Sequence, residues 1–315
     1  MIFGFGRSER TVGLDVGSGL LKVAVVDHSS DYPQLEKVGL RPLVADAIVE
    51  GEVRDRALVA DTIDALFEEE EISQRRVVSS VGGRDVIVKL IQMDRMSEED
   101  AREVIQWEAG QHVPFDIDEV ELDFQIVDPE GEGLQMTVLL VAAKRELVED
   151  RIALLETAGL EAGLVDAEPF ALHNALEFNH PEAMDGLVGL ACVGHDRTAL
   201  NVMDDGTPVL IRDLAFGTAG LRETLTTEHG LSGDEAESVL RDGNGELSAP
   251  IRQTIHERAQ KLAQGVERAS VFLETQDYGA GLGALYLCGG VARVPGVAEL
   301  LADRLGVDVK MANPV

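Results

Sequence analysis

Apolar positions along this chain follow two rhythms, one of period two and one close to 3.6. Short apolar runs predict strands at Val12 to Val16, Leu20 to Val26, Leu35 to Leu40 and Val77 to Val81. Arg54 to Glu69, with Leu58, Ile63 and Leu66–Phe67 at helical spacing, predicts a helix before the last of them. The opening of the chain thus reads β-β-β-α-β. A different unit follows. Asp85 to Met93 is rich in β-branched residues and predicts a strand. Ser97 caps a helix whose first turn holds Glu98, Glu99 and Asp100, where negative charge is favourable. That helix ends near His112, ahead of Pro114. Val120 to Val127 and Leu134 to Ala143 predict strands joined by a turn at Pro129-Glu130-Gly131, and Lys144 to Ala158 predicts a helix stopped by Gly159. This β-α-β-β-α block is compact enough to be an inserted subdomain. Leu164 to Ala167 then returns as a strand of the first domain, Pro169 opens a helix to Phe178, and Asn179-His180-Pro181-Glu182 reads as a hinge.

The opening pattern now repeats. Leu187 to Val193, Thr198 to Met203 and Val209 to Ala215 predict three strands. Helical segments follow at Leu221 to Glu228 and Asp234 to Leu240. Ile251 to Glu274 carries one apolar stripe through Ile255, Ala259, Leu262, Val266, Ala269 and Leu273. Leu285 to Cys288 is a strand running into Gly289-Gly290, and a helix from Pro295 to Leu305 and a strand at Val307 to Lys310 complete the pattern. The chain is therefore α/β, with two similar halves and an insertion in the first.

Composition narrows the function classes. A chain of 315 residues holds two domains of ordinary size, and 45% apolar residues is a globular composition. The net charge of −31 argues against nucleic acid, whose phosphates it repels. The acidic run Glu68 to Glu71 reads as a solvated helix end. Two cysteines give no disulfide framework and fit a reducing compartment. No apolar stretch reaches the length of a membrane span, and MIFGFGRSER is too short and interrupted for a signal peptide. The expected location is cytoplasmic.

The chemistry sits in the turns. In TVGLDVGSGLLKVAVVD, the turn Gly17-Ser18-Gly19 lies between two strands, after Asp15 and before Lys22. Glycines let backbone N–H groups approach an anion. A strand follows the turn, so this is neither a Walker A loop nor a Rossmann fingerprint. Taken alone, such a turn is more often only a turn. It recurs at Gly194-His195-Asp196 in the second half, however, and a Gly-Gly turn ends the strand at Cys288. Three such features in this order match the actin, Hsp70 and sugar-kinase class: two RNase H-like domains around a nucleotide cleft, an actin-like ATPase fold.

The middle block narrows this further. VIVKLIQMDRMSEEDAREVIQWEAGQHVPFDIDEVELDFQIV, with EAGQHVPF followed by DEVELDFQ, resembles the PilM family of type IV pilus assembly proteins, which is similar in fold to FtsA. The resemblance implies domain 1A at 1–84 and 160–183, an inserted FtsA-type 1C subdomain at 85–159, domain 2A at 184–220 and 250–315, and a helical 2B region at 221–249. It implies a cytoplasmic scaffold at the inner-membrane face, in a type IV pilus or related secretion system. This scaffold binds ATP or ADP, the cytoplasmic N-terminal peptide of PilN and other platform proteins. The phosphates would meet Gly17, Ser18, Gly19 and Lys22, with Asp15 near the metal water, and Gly194, His195 and Thr198 opposite. Gly217 would start a helix at the site. Glu237 would reach the ribose, Arg241 would stack on adenine, and Gly289, Gly290 and Val291 would frame the adenosine. The alternative for Glu237 and Arg241 is an exposed i,i+4 pair. The peptide groove is placed near Trp107, Val113, Pro114 and Phe115, which are as readily core residues.

Three departures qualify the match. Cys192 stands where hydrolysing relatives carry Asp, which weakens Mg²⁺ binding because a hard cation prefers oxygen ligands. Gly217-Thr218 replaces a Gly-Gly. The family pattern implies a further segment beyond Ala312-Asn313-Pro314-Val315. No catalytic residue and no resident metal site is expected, and ATP hydrolysis should be weak or absent. If their strands are neighbours, the Cys192 and Cys288 thiols lie close together. The competing readings are an FtsA-like filament former and a sugar-kinase-class phosphotransferase, which would need a catalytic Asp that the chain does not offer.

Overall fold

The computed structural model describes residues 10–49, 51–242, 247–276, 278 and 281–314, apart from the side chains at 241 and 242. The N-terminal stretch rich in Phe lies outside them. In chain order the strands and helices are β1 (Arg10–Val16), β2 (Leu20–Asp27), β3 (Gln34–Pro42), the short β4 (Ile48–Val49) and β5 (Glu52–Val53), α1 (Arg56–Glu69) and β6 (Arg76–Val81). Next come β7 (Val86–Asp94), α2 (Glu98–His112), β8 (Val120–Ile126), β9 (Gln135–Lys144), α3 (Arg145–Thr157), β10 (Glu161–Ala167) and α4 (Glu168–Asn179). The rest are β11 (Leu187–Val193), β12 (Thr198–Asp204), β13 (Thr207–Leu214), α5 (Thr218–His229), α6 (Gly233–Asp242), α7 (Ala249–Glu274), β14 (Ala284–Gly289), α8 (Val297–Leu305) and β15 (Asp308–Met311).

The chain separates into two compact units. The first runs to Asp85 and resumes over Lys144–Ala171; the second holds Val86–Ala143 and Leu172–Pro314. The first unit's sheet has the order β3-β2-β1-β6-β10, with β1–β2 and β2–β3 antiparallel and β6 parallel to both β1 and β10. Its core is built by Val12, Leu14 and Val16 of β1 and Leu21, Val23 and Val25 of β2, alternating as one sheet face must. α1 lays Val59, Ala60, Ile63, Leu66 and Phe67 on that face, and α3 adds Leu154 and Leu155. Asp55 caps α1, its carboxylate accepting from the Leu58 N–H at 3.0 Å.

The second unit repeats the plan. Its sheet runs β13-β12-β11-β14-β15, again with two antiparallel pairs followed by parallel neighbours. The 26-residue α7 buries Ile255, Ala259, Leu262, Val266, Ala269 and Leu273 against it. This is the stripe the sequence predicts.

The inserted block folds as the three-stranded sheet β7-β9-β8 covered by α2. Ser97 caps α2 through the Asp100 N–H, as expected. Asp128, in the β8–β9 connection, accepts from the Thr137 N–H at 2.7 Å and from Arg95 at 2.8 Å, which holds its carboxyl below the usual range. The block packs beside β13 of its own unit. The two units part within α4, between Ala171 and Leu172. The stretch read as a hinge begins with the last residue of α4, Asn179, and continues into a 3₁₀ turn over Pro181–Met184.

Candidate functional site

The glycine turns belong to separate units and are built differently. In the first unit, β1 and β2 stay in register up to Val16↔Leu21, so Gly17-Ser18-Gly19 closes the hairpin. A Cβ at Gly17 would lie 2.9 Å from the Leu20 carbonyl oxygen, so the turn excludes any larger residue. Asp15 and Lys22 are opposite each other across the hairpin, and Lys22 Nζ donates to Asp15 Oδ2 at 2.5 Å. Both are about half exposed. This pair keeps an ammonium beside the turn. The buried Ser79 hydroxyl donates to the Leu14 carbonyl at 2.8 Å and fixes β6 against β1.

In the second unit, glycines hold three backbone segments together. The Gly194 N–H donates to the Arg197 carbonyl, closing the β11–β12 turn. The first N–H groups of α5, from Thr218 and Ala219, donate to the carbonyls of Gly194 and His195 at 3.0 and 2.9 Å. Gly217 is at the N-cap, where a Cβ would meet the His195 oxygen at 2.2 Å. Gly289 has φ +82°, and a Cβ there would meet the Val193 oxygen at 2.2 Å. The Gly290 N–H donates to that same oxygen at 2.8 Å. The result is one cluster of the β11–β12 turn, the start of α5 and the end of β14. The neighbouring Arg197 pairs with Asp213 on β13. His195 stays partly exposed, 3.8 Å from Asp196.

Several expected ligands turn out to serve the fold. Thr198 is fully buried and its hydroxyl donates to the Phe216 carbonyl at 2.8 Å, which corrects its assignment as a phosphate contact. The Val291 side chain is in the core of the second unit, so only its backbone can border a ligand. Val113 is likewise in the core of the inserted block, which removes it from the proposed groove. Phe115 is partly buried against that core and Pro114 is exposed. Trp107 is 70% exposed, because α2 turns Ala101, Ile105 and Ala109 inward instead. Glu237 is on the exposed face of α6; the Arg241 side chain lies outside the described residues.

Cys192 and Cys288 are register partners on the adjacent parallel strands β11 and β14, so the neighbourhood expected for them is real. Neither is in a disulfide, and both are partly buried. Among the described residues, no group of three or more His, Cys, Asp or Glu side chains could hold a metal ion. The sequence pattern did not single out Arg151. It lies on α3, where the charges of Asp15 and Glu168 reach it, and its Nη1 is sealed from water without a hydrogen-bond partner.

The family model for type IV pilus assembly protein PilM matches residues 13–315. The chain belongs to the PilM family. Its fold superposes on a PilM–PilN type IV pilus biogenesis complex with a TM-score of 0.83 at 30% identity, over 98% of this chain and 89% of that one. An ethanolamine utilization protein EutJ from Carboxydothermus hydrogenoformans matches at TM-score 0.60 and 18% identity, over 97% and 85%. MreB 5 of Spiroplasma citri bound to AMPPNP matches at 0.54 and 11%, over 97% and 92%. These likenesses establish the actin-like fold. Among curated proteins, EutJ of Escherichia coli is 31% identical over 150 residues, so the match spans 47% of each chain. Cell division protein FtsA of Bacillus subtilis is 22% identical over 98% of this chain and 79% of its own. No helix among the described residues is long and apolar enough to cross a membrane.

Proposed function

We propose that this chain is a nucleotide-binding scaffold of a type IV pilus or related assembly platform, working at the cytoplasmic face of the inner membrane. It binds the cytoplasmic N-terminal peptide of PilN. The observation that carries this reading is the family match over residues 13–315, together with the likeness to a PilM–PilN complex. Trp107 is the proposed anchor, since a large aromatic left in solvent is an effective contact for a partner. The decisive test is calorimetry of the full chain with a synthetic peptide of the cognate PilN N-terminus. Saturable binding is expected, weakened about tenfold in Trp107→Ala. Absence of binding overturns the scaffold reading.

ATP or ADP is the proposed ligand of the glycine turns. The residues proposed to meet it are Asp15, Gly17, Ser18, Gly19 and Lys22 in the first unit, and Gly194, His195, Gly217, Glu237, Arg241, Gly289, Gly290 and the Val291 backbone in the second. The support is the cradle at Gly17, which only a residue without a side chain can form, with Lys22 beside it. Mg²⁺ would arrive with the phosphates and retain its waters, with Asp15 as an outer partner. A thiol at 192 gives such an ion no oxygen ligand, so slow or absent hydrolysis is part of the proposal. The FtsA likeness leaves filament formation as the rival; ATP-dependent pelleting of the chain would favour it.

A further inference from the structure

Arg151 is on the apolar side of its helix. Leu154 and Leu155, three and four residues on, are fully buried in the core of the first unit. Asp150 beside it turns outward and pairs with Arg56 of α1 at 2.7 Å. Arg151 is mostly buried, and its Nη1 neither touches water nor finds an acceptor. Asp15 is bonded to Lys22 and does not accept from it. Burial lowers the Arg151 pKa, and the charges of Asp15 and Glu168 oppose that shift. A guanidinium does not shed its proton at any ordinary pH. A buried charged donor left unpaired is costly, and folds rarely keep one except where an ion or ligand completes it.

The surroundings indicate what would complete it. The Asp15 charge that reaches Arg151 belongs to the strand end that leads into Gly17-Ser18-Gly19. Lys22, bonded to the same Asp15, is the other cation there. The planar fork of a guanidinium matches two oxygens of a phosphate, whereas an ammonium offers only a point charge.

We infer that Arg151 is a phosphate ligand of the bound nucleotide, acting as a second cation beside Lys22. This rests on the nucleotide reading above and adds a residue to it. In the nucleotide-free protein the same side chain carries an unmet donor, so its removal should not weaken the empty fold.

The test uses the full chain, with ATP calorimetry and nucleotide-free thermal melts of wild type, Arg151→Gln, Arg151→Lys and Lys22→Ala. Arg151→Gln should weaken ATP ten- to hundredfold, the range for a charged hydrogen bond. Arg151→Lys should recover part of that loss. The nucleotide-free melting temperature of Arg151→Gln should equal or exceed that of wild type. Unchanged ATP affinity, or a drop in affinity that accompanies a lowered nucleotide-free melt, overturns the assignment and makes Arg151 structural. If Arg151→Gln does not fold, the size-matched Arg151→Met carries the same comparison, and failure of both to fold also overturns it. If wild type does not bind ATP, the nucleotide reading falls and takes this inference with it. If wild type binds and Lys22→Ala weakens it while Arg151→Gln does not, only the inference falls.

Discussion

Gly289 and Gly290 are adjacent, yet the structure uses them differently. A Cβ at Gly289 would strike the backbone oxygen of Val193 at 2.2 Å, in a left-handed conformation at φ +82°. Neither β11 nor the turn it feeds can retreat without losing its ladder. A Cβ at Gly290 would strike the Thr218 methyl at 2.5 Å, a side-chain end with freedom to turn. Gly289→Ala should therefore cost about 3 kcal/mol or more, combining left-handed strain with overpacking, and Gly290→Ala about 1 kcal/mol. Urea unfolding of the two variants decides this, and equal losses would refute the distinction. A Gly-Gly pair after a strand is visible in the sequence as a turn. Which glycine faces backbone is not, because the Val193 oxygen comes from a strand almost a hundred residues earlier. Thr198 shows the same limit. Its place after the second glycine turn suggested a phosphate contact, but its hydroxyl is spent on Phe216, a partner that only the fold brings near. Trp107 was no more legible, since its place beside Ala101, Val104 and Ile105 leaves core and surface equally open; the structure exposes it because α2 turns Ala101, Ile105 and Ala109 inward.

At the scale of elements, the apolar rhythm and Gly159 found α3 and the strand after it, although β10 begins at Glu161, three residues before the expected Leu164. Their charged residues were not understood from that rhythm. Arg151 precedes Leu154 and Leu155 at three- and four-residue spacing, so the helical period already puts it on the buried side. That signal was available in the sequence. Asp166, near the end of β10, is half-buried; burial raises its pKa, and a bond from the Ala167 N–H opposes this only in part. A carboxyl with a raised folded pKa costs stability as pH climbs from its unfolded value, near 3.9, through the folded one, and the cost is constant above that. Asp166→Asn should thus melt higher than wild type at pH 7, with the gain vanishing by about pH 3, where both side chains are neutral. Melting curves at the two pH values check it. A gain that persists at low pH would assign the effect to packing or hydrogen bonding instead of charge.

For the whole molecule, the duplication was the most legible feature. Both sheets carry three antiparallel strands followed by parallel neighbours, and both first hairpins carry a glycine turn, so the repeat survives in the order of apolar runs. Chain order also showed an insertion after β6, but placed it at 85–159. The structure gives its last helix, α3, to the core of the first unit, because Leu154 and Leu155 pack there, and leaves 86–143 as the inserted block, whose packing beside β13 depends on contacts far apart in sequence. Charge acts at this scale too. With a net charge of −31, most carboxylates have no cation to balance them. The described ion pairs, such as Arg304 with Glu267 at 2.7 and 3.0 Å and Arg102 with Glu98 at 2.6 Å, lie at the surface, where water screens them and each adds little. Salt weakens those pairs, which lowers stability. It also screens the repulsion among the unbalanced carboxylates, which raises it, since a large net charge opposes the compact state. The Debye length falls from about 30 Å at 0.01 M to about 3 Å at 1 M, so long-range repulsion is lost well before contacts of 2.7 Å are. Repulsion is shared over the whole surface while each pair acts locally, so the screening gain should win. The melting temperature should rise steadily from 0.01 M to 1 M NaCl, and equally in KCl. A flat or falling curve would mean that local pairing outweighs the excess charge.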